Sequence, residues 1–141
     1  MTEDVTPGST LVATLIGTPV EGVARDASLY EVADAMVAAG VGALIVTNGD
    51  RERAAGIVTE RDIVRALAGR RDPATTRACD IANTTLVWCD AEATVTEVAE
   101  RMMECYIRHI LVERGGRLVG IVSARDLLGD YVSGFMDVDG E

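Results

Sequence analysis

The chain has 141 residues, of which 48% are apolar and only 4% aromatic, and carries a formal net charge of −10. That length suits one compact domain or two small modules sharing a core. The acidic balance disfavours nucleic-acid backbones and anionic membranes, both of which are held by Lys and Arg, but it leaves room for a small anion, because a few local arginines outweigh a distant field screened over roughly 8–10 Å.

The first nine residues, within MTEDVTPGST, read as an N-terminal tail. They lack the basic and apolar stretches of a secretory signal, and no apolar run in the chain reaches the ~20 residues of a membrane span, so a cytoplasmic location is expected. GTPVEGV (17–23) reads as a short strand. Asp26-Ala27-Ser28 then opens a helix, with Ser28 as N-cap and Glu31 placed to complete a capping box. Leu29, Val32, Ala33, Met36 and Val37 recur at helical spacing, and Gly40 ends the helix. VGALIV (41–46) is a short buried strand, TNGDRERAA (47–55) a hairpin turn marked by Asn48-Gly49, and GIV (56–58) the returning strand. Thr59 starts a second helix, ERDIVRALAG, with Ile63, Val64 and Leu67 as its apolar face and Gly69 as its stop. RRDPATTRA (70–78) is a linker in which Pro73 breaks any continuous helix.

The same order then recurs. TTLVWC (84–89) is a short strand, Thr94 caps a helix with Glu97 three residues on, and Val95, Val98, Ala99 and Met102 form its stripe. HILV and LVGIV flank a turn at Gly115-Gly116, and Ser123 caps a last helix, ARDLLGDYV. SGFMDVDGE (133–141) reads as a frayed end, with docking of Phe135-Met136 on a dimer mate as the alternative.

The recurrence is a duplication. At an offset of 66 residues Thr18 lies over Thr84, Ala27 over Ala93, Glu31-Val32-Ala33 over Glu97-Val98-Ala99, and Met36 over Met102. Past the hairpin turn the offset falls to 64, which aligns Gly56, Ile57, Val58, Arg61 and Asp62 with Gly120, Ile121, Val122, Arg125 and Asp126. A length change inside a Gly/Asp-rich turn is where a duplicated unit tolerates one. The class is α/β (α+β), with two strand–helix–strand–strand–helix units at 10–69 and 79–132. A three-stranded sheet of this size cannot cover both its faces, so a pseudo-twofold pair is expected, each copy covering the other. Cys79, Cys89 and Cys105 fit no usual zinc spacing and His109 is the sole histidine. They read as packing thiols, with a redox bridge or metal site as the alternative.

One sentence is written twice: GIVTERDIVRAL at 56–67 and GIVSARDLLGDY at 120–131. Together with VGALIV and IRHILVERGGRLVGIVSARDLL, it resembles a tandem pair of CBS domains, a Bateman module, over most of the chain from about residue 10 to 132. The resemblance implies two βαββα units packed sheet to sheet with pseudo-twofold symmetry, two clefts between them, and further dimerisation into a disc. It also implies adenine nucleotides or related adenosyl ligands in the clefts, with occupancy passed to a regulated protein. Here the pair is expected to stand alone, as a homodimer, with no required cofactor.

Thr59-x-x-Asp62 and Ser123-x-x-Asp126 have two readings. An N-cap hydroxyl with an acid in the first turn starts a helix and needs no ligand. The same helix N-terminus also offers donors to an anion, the hydroxyl can serve a phosphate or sugar, and a short Asp can accept from ribose hydroxyls. The resemblance implies that Asp62 and Asp126 contact ribose. Arg61 and Arg125 would supply counter-charge, or form a solvated helix face. Arg108-His109 precedes the HILV strand at a place that in similar chains often faces a nucleotide phosphate; the alternative is an exposed strand edge. The first copy has Gly42-Ala43 there, so the two sites are not expected to be equivalent. Candidates for an adenine slot are Val20, Leu44, Ile45, Ile57 and Val58, with counterparts Leu86, Ile110, Leu111, Ile121 and Val122. Each reads more readily as core than as pocket, and strand alternation lets only some face a ligand. The leading function is a sensor of AMP, ADP, ATP, NAD or S-adenosylmethionine. The alternative is a ligand-free dimeric stress or scaffold protein. An enzyme is the weakest reading, because no nucleophile–base pair, Walker loop or metal cluster can be placed. Nucleic-acid and membrane partners are not expected.

Overall fold

The computed structural model describes residues 8–16, 20–49 and 53–139. Residues 1–7 of the expected tail, 17–19 of the first expected strand, 50–52 of the hairpin turn, and Gly140 and Glu141 lie outside them. After a single 3-10 turn at Val12–Leu15 come β1 (Gly22–Ala24), α1 (Leu29–Ala39), β2 (Ala43–Thr47), β3 (Gly56–Thr59), α2 (Glu60–Ala68), α3 (Ala78–Ile81), β4 (Trp88–Asp90), α4 (Val95–Cys105), β5 (His109–Arg114), β6 (Arg117–Ser123) and α5 (Ala124–Asp139). The strands form two three-stranded sheets, β1-β2-β3 and β4-β5-β6. In each the first pair is parallel and the second antiparallel. The register repeats with the sequence: Gly22 faces Ile45 as Trp88 faces Leu111, and Ala43 faces Thr59 as His109 faces Ser123.

Local chemistry starts each helix as its residues demand. Ser28 Oγ accepts from the Glu31 amide at 3.2 Å while Glu31 Oε1 accepts from the Ser28 amide at 2.8 Å. Thr94 and Glu97 close the same box at 3.2 and 2.8 Å. These boxes satisfy amides that a helix start leaves unpaired. Leu29, Val32 and Met36 of α1 are buried, and so are Val95, Val98 and Met102 of α4. Val37, Val64 and Leu67, expected on apolar faces, stand exposed at 82%, 63% and 46%. Between β5 and β6, Gly115 (φ 62°) and Gly116 (φ 81°) make the two-residue turn whose positive φ values match strand twist. α5 runs on to Asp139 instead of ending at 132. After Ser123 no proline interrupts it, and Gly129 and Gly134 weaken a helix by about 1 kcal/mol each without ending it.

The contacts divide the chain into a central unit, Val20–Leu86, and a composite unit made of Met1–Pro19 with Val87–Glu141. The cause is the segment that leads into each repeat. Val12 donates to Ala93 O (2.7 Å), Ala13 to Ala91 O (3.1 Å), and Val95 to Thr10 O (2.8 Å). At the corresponding positions Ala78 donates to Ala27 O (2.8 Å), Cys79 to Arg25 O (2.9 Å), and Leu29 to Thr76 O (3.1 Å). Each lead-in turn therefore docks on the other repeat's helix. Val12 joins the core of Val95, Val98, Met102, Ile110, Val112 and Val122, and Ala78 joins that of Val32, Met36, Leu44, Val46 and Val58.

The first glycine of the repeated sentence serves this docking. A Cβ on Gly120 would come within 2.6 Å of Ile16 Cγ2, and one on Gly56 within 3.2 Å of Ala82 Cβ and Asn83 O. Ile57 and Asn83 exchange backbone bonds at 3.0 and 2.9 Å beside Gly56. The copies differ at one helix end. Gly40 (φ 68°) closes α1 in the left-handed region, but α4 closes on Tyr106 (φ 56°), 93% exposed.

Two variants test this account. Tyr106→Gly removes a conformation that costs a side-chain-bearing residue roughly 1 kcal/mol, and is expected to raise the thermal midpoint by roughly 3–5 °C. Gly120→Ala should lower it through an overpacking cost of about 1–3 kcal/mol, and that cost should shrink in an Ile16→Ala background, read as a double-mutant cycle.

Candidate functional site

In both sheets the returning strand runs directly into a helix. Thr59 and Ser123 are at once the last residue of β3 or β6 and the residue capping α2 or α5. The Thr59 amide and hydroxyl donate to Asp62 Oδ2 at 2.8 and 3.0 Å, and the Asp62 amide donates to Thr59 Oγ1 at 3.4 Å. The Ser123 amide donates to Asp126 Oδ2 at 2.9 Å, and the Asp126 amide to Ser123 Oγ at 3.0 Å. Asp thus closes the box usually closed by Glu, with Oδ2 turned back to the residue that caps the helix.

A second backbone bond brings the middle strand to the same place. The Glu60 amide donates to Gly42 O at 3.0 Å, and the Ala124 amide to Arg108 O at 2.8 Å. With the pairings Ala43–Thr59 and His109–Ser123, this sets Gly42-Ala43 or Arg108-His109 beside the capped turn. Arg61 and Arg125 sit exposed on the first turns, Arg108 is exposed, and His109 is half-buried. Hydroxyl, carboxylate, helix N-terminus and strand head therefore converge within each unit. In the composite unit the strand head carries Arg108 and His109 where the central unit has Gly42 and Ala43.

The apolar candidates split by strand alternation. Leu44 and Val58 pair across β2 and β3 and belong to the central core, as Ile110 and Val122 belong to the composite one. Those four fill the helix-side interiors. Ile45–Ile57 and Leu111–Ile121 pair on the opposite sheet faces. Ile45 and Leu111 are buried, whereas Ile57 and Ile121 are half-buried. Val20 and Leu86 are half-buried just ahead of β1 and β4. One contact was absent from the sequence reading. Glu60 folds back over the head of β2, so that a Cβ on Gly42 would overlap its Oε1. Its signal was the alignment of Glu60 with Ala124, read beside that of Gly42 with Arg108.

An open groove of about 690 Å³ lies at the other end of the central sheet, lined by Arg25, Thr47, Asn48, Arg77 and Cys79 among others. It contains none of the expected site residues. Among the described residues no group of three or more His, Cys, Asp or Glu side chains is placed to hold a metal ion, and no helix is long and apolar enough to cross a membrane.

The CBS domain pattern matches residues 12–69 and again 78–133. Hypoxic response protein 1 of Mycobacterium tuberculosis is 39% identical over 88 residues, which cover 62% of this chain and 61% of that protein. A CBS-domain-containing protein from Agrobacterium tumefaciens superposes with a TM-score of 0.80 at 33% identity, covering 86% of this chain and 93% of that one. A CBS domain protein from Pyrobaculum aerophilum, solved in complex with AMP, superposes with a TM-score of 0.76 at 31% identity, covering 86% of this chain and 98% of that one.

The three thiols are free. Burial lifts the Cys89 thiol from an ordinary 9.0 to about 11, with Asp90 and Glu113 adding to the rise and Arg101 opposing it. Cys105 is exposed. At pH 8 a raised thiol holds roughly a hundredfold less thiolate. Iodoacetamide followed by mass spectrometry should therefore label Cys105 well before Cys89, and equal rates would contradict the burial of Cys89.

Proposed function

The chain belongs to the CBS domain family, and we propose that it is a regulatory module that binds an adenosine-type ligand and reports occupancy to a partner protein. The observation that carries this reading is the convergence, in both units, of the capped helix start with the head of the middle strand. Thr59 with Asp62, and Ser123 with Asp126, would meet ribose. Arg108, His109 and Arg125 would meet phosphate in the composite unit, and Arg61 is the matching cation of the central one. Ile45, Ile57, Leu111 and Ile121, on the sheet faces away from the helix-side cores, are better placed for adenine than Leu44, Val58, Ile110 or Val122. Val20 and Leu86 remain candidates at the strand entrances. The candidate ligands are AMP, ADP, ATP, NAD and S-adenosylmethionine, and the AMP complex of the Pyrobaculum aerophilum relative supports the first of them. No catalytic step is assigned. Signalling would be a population shift, limited by the ligand's differential affinity for the two states of the protein.

A ligand-free dimeric scaffold is the second reading, and one observation bears on its dimer. Exposed apolar side chains recur at equivalent places in the two repeats: Val37 with Met103, Val64 with Leu128, and Leu67 with Tyr131. Solvent-facing positions without a role have no reason to stay apolar twice. A homodimer burying them is compatible with both readings.

Thermal unfolding with each ligand separates the two. A ligand at 100 times its dissociation constant adds about 2.7 kcal/mol and should raise the midpoint by several degrees. Asp62→Ala and Asp126→Ala each remove the acid arm of a capping box, costing about 1 kcal/mol without ligand, and should also abolish the ligand shift at their own site. Glu31→Ala, which breaks a capping box away from the motif, should cost a similar amount and keep the shift. If the Asp and Glu variants respond alike, the motif only caps.

A further inference from the structure

The same backbone bond sets one pair of residues side by side at each strand head. In the central unit the pair is Gly42 and Glu60, and in the composite unit Arg108 and Ala124. One pair is a hydrogen atom and a carboxylate, the other a guanidinium and a methyl group. The next strand position also differs, Ala43 against His109, but the capped turns are matched. Both helices are capped by hydroxyl and Asp, and Arg61 and Arg125 occupy the same exposed first-turn position. An acid in a first turn favours the helix dipole, but that alone does not fold it back over the strand. Glu60 Oε1 occupies the space that a side chain at position 42 would take. Ala124, with only a methyl group, has no carboxylate to place beside Arg108.

We propose that the two sites are charge-inverted: Arg108 with Ala124 admits the phosphate of an adenosine nucleotide at the composite unit, whereas Glu60 folded over Gly42 excludes phosphate at the central unit and admits only a phosphate-free adenosine ligand, neutral or cationic. The proposal rests on the adenosine-ligand reading above and adds the residues that set which ligand each copy takes. A carboxylate at the strand head repels a phosphate brought to the helix start, and a guanidinium there offers it charge-assisted hydrogen bonds.

Titration calorimetry of the whole chain with AMP and with adenosine tests it. The wild type should take one AMP per chain. Arg108→Ala should weaken AMP roughly tenfold or more, the size of a lost charged hydrogen bond, and leave adenosine nearly unchanged. Gly42→Arg with Glu60→Ala, which writes the composite pair into the central unit, should bring AMP to two per chain. Glu60→Gln keeps the side chain's shape and removes only its charge, and should add a second, weaker AMP site even where the double variant folds poorly. Two equal AMP sites in the wild type, an indifferent Arg108→Ala, or a single AMP site in both Glu60 variants would overturn the charge inversion and leave the adenosine reading standing. No heat with either AMP or adenosine would overturn both.

Discussion

One backbone hydrogen bond holds each candidate site together: the first amide of the helix donates to the carbonyl ahead of the middle strand, Glu60 to Gly42 and Ala124 to Arg108. A helix start leaves such amides without intrahelical partners. Here the partner comes from the neighbouring strand, so the helix cannot shift without dragging the hairpin with it. The strand register, the capped turn and the residues at positions 42 and 108 become one piece of geometry. Because main-chain atoms make that bond, the side chains around it could diverge between copies without cost to the fold. That freedom is what lets a glycine and an arginine occupy the same place.

Much of this was legible in the sequence because it is local. Ser28 with Glu31 and Thr94 with Glu97 are capping boxes three residues apart, and Gly115-Gly116 is a turn whose chemistry is complete in two residues. The motif acids were harder. Glu is the usual partner in a capping box, yet here the shorter Asp62 carboxylate bonds both the amide and the hydroxyl of Thr59. Capping and ligand contact are thus not alternatives between which the sequence could choose. The same carboxylate would have to do both.

What stayed hidden is non-local or depends on what covers a surface. No pattern within a window shows that Val12 belongs beside Ala93, or that Gly120 is small to make room for Ile16. Helical periodicity marked Val37, Val64 and Leu67 as apolar, but period alone cannot distinguish a stripe facing its own core from one facing outward. The left-handed end of α4 was invisible for a different reason, since Tyr106 stands where the other repeat has Gly40. The Glu60 contact needed two aligned pairs read together, and each pair read singly looks like ordinary divergence.

The exchange of lead-in segments also orders events in time. The central unit is contiguous from Val20 to Leu86, so all of its contacts can close as soon as that stretch is synthesised. The composite unit is not contiguous, and its N-terminal piece must wait, with Val12 solvent-exposed and the Thr10, Ala13 and Ile16 positions unmatched, until the last strands and α5 exist. Closing so long a loop is entropically slower than forming the local hairpins on either side. During translation the chain should therefore pass through a state in which one half is native and an apolar turn at its leading end is unclaimed. That is the interval in which such a protein is most exposed to aggregation or to capture by a second nascent copy.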